Sequence, residues 1–180
     1  MAAKAKTAER DHVDRWVDSI LEMFPMLDRE VESLVDRIHG INRRLQRFLD
    51  ETLAEFNLDH AEWKLLGLLA RRGEAYSSSP GKLARMMELS SGAMTNRLDR
   101  LEEAGLLRRR PDPNDRRGIQ VELTDDGRRV YEDSVGVQAR KEALVAAALD
   151  DSEKKQLNAL LRRMMLEFER MEGGPPPEDC

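Results

Sequence analysis

The sequence predicts a mainly α-helical fold with one small β-wing: a winged helix-turn-helix region framed by a helical dimerisation domain. Three observations carry that expectation. Residues 79–127 run in the order helix, turn, helix, strand, basic turn, strand. Long apolar stripes at helical spacing lie on both sides of that segment. The composition, 40% hydrophobic but only 4% aromatic over 180 residues, suits one extended helical domain better than a chain packed around aromatic centres.

In chain order, residues 10–24 form a first helix with Val13, Trp16, Val17, Ile20, Leu21 and Phe24 as its apolar stripe, ended by Pro25. A long helix over 30–56 keeps near-heptad spacing from Val31 to Phe56 and needs another helix to cover it. Asp59 caps a third helix over 60–71, whose Trp63, Leu65, Leu66, Leu68 and Leu69 lie beneath the winged helix. Serines at 77–79 have no histidine and carboxylate placed to activate them, so turn or capping roles explain them.

Residues 80–87 form a short helix with proline at its first position and Leu83, Met86 and Met87 on its apolar side. After a turn at 88–90, Ser90 or Ser91 caps a second helix that runs to Ala104, and Gly105 supplies the left-handed stop. On a wheel of about 100° per residue, Met94, Leu98 and Leu101 share one face. Gly92, Thr95, Asn96, Asp99 and Arg100 fall on the opposite or lateral faces, as a helix that reads base edges requires. Arg97 is the exception: at about 60° from the apolar axis, its guanidinium belongs near the interior or a cleft.

Residues 106–110 and 119–123 form a hairpin, the second strand alternating Ile119, Val121 and Leu123 with Gln120, Glu122 and Thr124. Its loop, PDPNDRRG, sets Arg116 and Arg117 at the tip of a narrow ribbon, where cations fit the minor groove of a duplex. Thr124 and Gly127 open a long helix to about residue 149, and a break at 149–152 precedes a last helix striped with Leu157, Leu160, Leu161, Met164, Met165 and Phe168. One chain has too many apolar stripes to cover, so the first helix and the two C-terminal ones are expected to interleave with a second copy as a homodimer. The two winged helices would then meet a pseudo-palindromic operator with half-sites about 10 bp apart.

Charge is distributed to match. The whole chain carries a formal −5, yet residues 80–118 hold nine cations against six carboxylates, a net +3, which leaves −8 for the remainder. The positive field is thus concentrated on the winged helix and orients the chain on a phosphate backbone. The expected partner is double-stranded DNA, with base readout by Ser91, Thr95 and Asn96, phosphate contacts by Lys82, Arg100 and Arg109, and groove contacts by Arg116 and Arg117. His12, His39 and His60 lie on helices of different register without metal-ligand companions, and no Gly-rich phosphate loop occurs; neither an enzyme nor a cofactor is expected. No stretch approaches the roughly 20 apolar residues of a membrane span and MAAKAKTAER lacks a signal-peptide core, so a cytoplasmic protein is expected. Cys180, beside Asp179 in an acidic Gly- and Pro-rich tail, has no activating cation for redox sensing.

The run LSSGAMTNRLDRLEEAGLLRR followed by DPNDRRGIQVELTDDG resembles the MarR family of winged-helix transcriptional regulators, and the added N-terminal helix with TNRLDRLE is most similar to its PecS/HucR/TamR-like branch. The resemblance implies residues 1–57 as N-terminal helices with dimerisation and a ligand cleft, 58–127 as the DNA-binding winged helix, 128–171 as C-terminal dimerisation helices and 172–180 as a disordered tail. It also implies a repressor released by a small anionic ligand, a tricarboxylate, urate or aromatic acid. In that branch the anion sits between the N-terminal helices and the recognition helix, on a tryptophan and an arginine; here Trp16 and Arg97 fit those roles, with His39 and Lys64 as further candidates. Trp16 also lies on an apolar stripe, which assigns it to packing. Urate-responsive relatives place an aspartate after the next tryptophan, whereas this chain has Trp63-Lys64, which makes the cleft more positive and favours a polyanion such as citrate or an aconitate over urate. The competing reading is a ligand-independent architectural or protein-docking winged-helix protein.

Overall fold

The computed structural model describes residues 9–71, 77–113 and 115–174. Among them are seven helices and a three-stranded sheet: α1 His12–Met23, α2 Arg29–Glu55, α3 His60–Ala70, β1 Ser77–Ser78, α4 Pro80–Met86, α5 Ser91–Glu103, β2 Leu107–Pro111, β3 Ile119–Leu123, α6 Asp125–Ala146 and α7 Asp151–Glu172. The chain divides into two compact units at 48/49, inside α2 and earlier than the 57/58 boundary expected from sequence. The last turns of α2 carry Leu49 and Leu53, which pack with Phe56 just beyond the helix into the winged-helix core, so they belong to the second unit.

In the first unit, α1 starts on a capping box in which Asp11 accepts from Asp14 N while Asp14 accepts from Asp11 N. Asp28 caps α2 by accepting from Glu30 N at 2.8 Å and Val31 N at 3.1 Å. Arg37 of α2 pairs with Asp11 at 3.0 Å and Asp14 at 2.6 Å, and its hydrogen bonds hold the Asp11 carboxyl down at about 2. Only two of the six residues of the α1 stripe are buried. Val13 and Val17 are enclosed, while Trp16, expected on the packed stripe, is 53% exposed in the single chain.

The second unit is built around Leu53, Leu65, Leu66, Leu69, Leu83, Met94, Leu98, Leu101, Leu107 and Val121, one cluster fed by every element from α2 to β3 except β1. The sheet order is β1-β3-β2, antiparallel throughout, with Ser78 and Arg109 opposite Val121 on its two sides. Ser77–Ser78 is therefore a strand, not the turn expected; two residues are too few to show a period of two. Ser79 does cap α4, and Ser90 caps α5 by accepting from Ala93 N at 3.2 Å. The turn between these helices is closed by Glu88 at φ 53°, with Leu89 N donating to Ala84 O, a left-handed C-terminal stop made without glycine.

Beyond the wing, Thr124 caps α6 and also donates through its hydroxyl to Gly105 O at 2.7 Å. Gly105, at φ +72°, ends α5 as expected. Helix α7 begins on an Asp150/Glu153 capping box and ends on Gly173 at φ 88°, so ordered helix reaches residue 172; residues 175–180, Cys180 among them, lie outside the described residues. No helix among the described residues is long and apolar enough to cross a membrane.

Candidate functional site

The recognition helix presents the two faces its sequence requires. Met94, Leu98 and Leu101 are buried, and Ser91, Gly92, Thr95, Asn96, Asp99 and Arg100 are exposed. Thr95 donates its hydroxyl proton to Ser91 O at 2.9 Å, which fixes its rotamer and leaves its oxygen lone pairs and methyl outward. Lys82 on α4 is exposed as well.

At the wing, Asp112 N donates to Gly118 O at 2.9 Å and Gly118 N to Asp115 O at 2.8 Å, closing the loop beneath exposed Arg116 and Arg117. A side chain at Gly118 would meet Asp112 Cβ at 2.8 Å, so the turn needs glycine there. Arg108 and Arg110 both pair with Glu122 across the strands, the latter at 2.6 Å.

Arg109 is placed differently from these. Its guanidinium pairs with Asp99 at 2.7 Å and with Glu102, while its backbone N donates to Glu102 at 2.9 Å. Burial works against its charge, but the hydrogen bonds it donates to Asp99 and Glu102 outweigh it and the pKa is raised. The side chain expected on phosphate thus braces β2 against α5. Asp99 and Glu102 were not singled out as functional from the sequence, although the i, i+3 spacing on one helix was visible.

Behind the recognition helix lies a cavity of about 840 Å³, lined by α3, the α4–α5 turn, Arg97 and Tyr131 of α6. Its wall is aromatic: Trp63 stacks on His60 at 6.4 Å and tilts against Tyr131 at 5.8 Å. The indole is fixed by donation to Ser134 Oγ at 2.9 Å, and Ser134 in turn donates to Tyr131 O. Gly67 permits this packing, since a side chain there would strike the Tyr131 ring at 2.8–3.0 Å. His60, Tyr131, Met86 and Met87 were not foreseen as lining residues; Tyr131 is 68 positions from Trp63, and no local pattern joins them.

Arg97 enters this cavity as its wheel position foretold. It is part-buried, and among the described residues its Nε is enclosed without a hydrogen-bond partner while its terminal nitrogens reach Ala93 O at 3.4 Å and Asp59 at 4.0 Å. Lys64 and Arg71 also line the cavity but are exposed, so Arg97 is the inward cation. Trp16 and His39 belong to the first unit, both exposed, and are not among the lining residues. Among the described residues no cluster of His, Cys, Asp or Glu could hold a metal ion.

The MarR family model matches residues 58–119, from just before α3 to the first residue of β3. PecS of Dickeya dadantii (strain 3937), an HTH-type transcriptional regulator, is 33% identical over 140 residues, 78% of this chain and 84% of PecS. The YusO protein of Bacillus subtilis shares the fold with a TM-score of 0.71 at 23% identity, over 77% of this chain and 96% of that one. A mutant MarR of E. coli complexed with operator DNA has a TM-score of 0.55 at 29% identity, over 75% of this chain and 95% of that one. YusO shows the fold alone, whereas PecS, matched over most of the chain, is a transcriptional regulator. A helix-turn-helix with a polar outer face, a wing tipped by two arginines and these relatives lead to one conclusion: the chain belongs to the MarR family of DNA-binding transcriptional regulators.

Proposed function

We propose that the chain is a homodimeric repressor that a small anion releases from a pseudo-palindromic operator by binding in the cavity behind α5. The observation that carries this is the enclosed, unpartnered Nε of Arg97 facing that cavity. A guanidinium nitrogen buried without an acceptor is costly, and a bound carboxylate would supply the missing hydrogen bond. Because Arg97 lies on the recognition helix, an anion that draws it away from Asp59 has different affinities for the DNA-fitting and displaced positions of that helix.

The lining favours one ligand class. Trp63, Tyr131, Met86 and Met87 offer apolar surface around a single inward cation, which suits an aromatic monocarboxylate better than the polyanion that Lys64 suggested, since Lys64 is exposed. DNA contacts are proposed for Ser91, Thr95, Asn96, Lys82, Arg100, Arg116 and Arg117, with Arg109 as a brace. The dimer is supported by α7, which contributes no buried residue yet carries Leu157, Leu160, Leu161, Met165 and Phe168 exposed by 37–57%.

The test is fluorescence anisotropy of the chain on its own upstream intergenic DNA, titrated with salicylate, urate, citrate and aconitate. Release by salicylate, abolished in Arg97→Ala without loss of DNA affinity, is the expected result. Release by citrate alone would replace the aromatic ligand with a polyanion. Tight binding that none of the four relieves would favour the architectural or protein-docking reading.

A further inference from the structure

Helix α3 opens with a capping box, and its two acidic members do more than cap. Asp59 accepts from Glu62 N at 2.7 Å and Glu62 Oε2 accepts from Asp59 N at 2.8 Å, which satisfies two donors at the start of the helix. A glutamine at position 62 would do the same, because only an acceptor oxygen is needed there. Within the cap the charge adds only its modest attraction to the positive end of the helix dipole. Glu62 is nonetheless 1% exposed, and its second oxygen, Oε1, has no hydrogen bond within normal geometry. A carboxylate is not placed in such surroundings without a partner charge.

That partner is Arg100, whose Nε stands 3.2 Å from Glu62 Oε1. Arg100 is on the outer face of α5 with Thr95 and Asn96, and its side chain is 63% exposed. An ion pair made at the Nε edge leaves the two terminal NH2 groups of the guanidinium available to a further acceptor. One turn earlier, Arg97 faces the other capping-box acid, Asp59, at 4.0 Å. The two acids of one helix start thus meet two cations spaced i, i+3 on the recognition helix.

We propose that Glu62 is a positioning residue for DNA binding: it holds the inner edge of the Arg100 guanidinium so that the outer edge is presented, already oriented, to a backbone phosphate. The inference rests on α5 facing DNA and is independent of any ligand in the cavity. Orientation set before the encounter lowers the side-chain entropy lost on binding, a role that a buried acid can fill and a capping glutamine cannot.

The test uses the full-length chain and a duplex selected from a random-sequence pool by the wild type, so that DNA binding itself is established first. Glu62→Gln preserves the cap and removes the charge. It is expected to weaken binding about 3- to 10-fold with an unchanged far-UV spectrum, and to change affinity less than about twofold when added to Arg100→Ala. Equal loss in both backgrounds, or no loss in the wild type, overturns the proposal. Arg100→Lys gives a second reading that does not require the Glu62 variant to fold. A held guanidinium predicts that lysine binds nearly as poorly as Arg100→Ala, whereas a lysine variant with wild-type affinity means that position 100 supplies only a charge and Glu62 positions nothing.

Discussion

Gly127 and Gly81 show how differently two glycines in helices are constrained. At Gly127, a Cβ would overlap the Leu106 carbonyl oxygen and approach Leu123 Cδ1 at 2.9 Å, because the first turn of α6 crosses directly over the end of α5. Gly127→Ala is expected to destabilise the chain by roughly 3 kcal/mol or more, read as a lowered urea midpoint, since backbone cannot yield as a side chain can. Gly81 has nothing within 4 Å of its Cβ position and ordinary helical φ, so Gly81→Ala should stabilise the chain by about 0.5–1 kcal/mol and raise the midpoint accordingly. From the sequence both are simply glycines near helix starts. Arg97 was legible to a greater depth, because its angle to Met94, Leu98 and Leu101 follows from helix geometry alone. Its unsatisfied Nε was not, since that depends on how far Asp59 lies across a packing boundary.

The wing and the recognition helix act as one element because Arg109 of β2 is held by Asp99 and Glu102 of α5. A ribbon fixed to the helix through β2 carries Arg116 and Arg117 at a set distance from the polar outer face of α5. Arg117→Ala is expected to weaken binding to selected and unrelated duplexes alike and to lower the slope of log affinity against log salt by about 1, since a wing cation reads the charge and width of the groove. Anisotropy titrations from low to moderate salt measure this, and permissiveness at one base position with an unchanged slope would mean that the wing reads sequence directly. The hairpin was readable from its alternation and its Pro, Asp and Gly punctuation. Strand β1 was not, because its two serines become a strand only by pairing with Glu122 and Val121.

For the chain as a whole, α7 presents an extended exposed apolar stripe among the described residues. If it is a dimer seam, Leu160→Glu combined with Leu161→Glu should halve the mass seen by light scattering after gel filtration while leaving the helical content of the winged helix intact, since no buried residue of the core comes from α7. Operator affinity should fall with it, because two half-sites are then bound separately. An unchanged mass would place the seam elsewhere. The amino-acid order by itself determined the helices, their caps, the polar face of α5 and the family, because these follow from local periodicity, capping chemistry and contiguous motifs. Tertiary structure alone decided that Arg109 braces rather than projects, that Glu62 meets Arg100, and that Trp63 and Tyr131 share one cavity wall. Each of those depends on the distance between side chains of separate elements, which packing sets and periodicity does not encode.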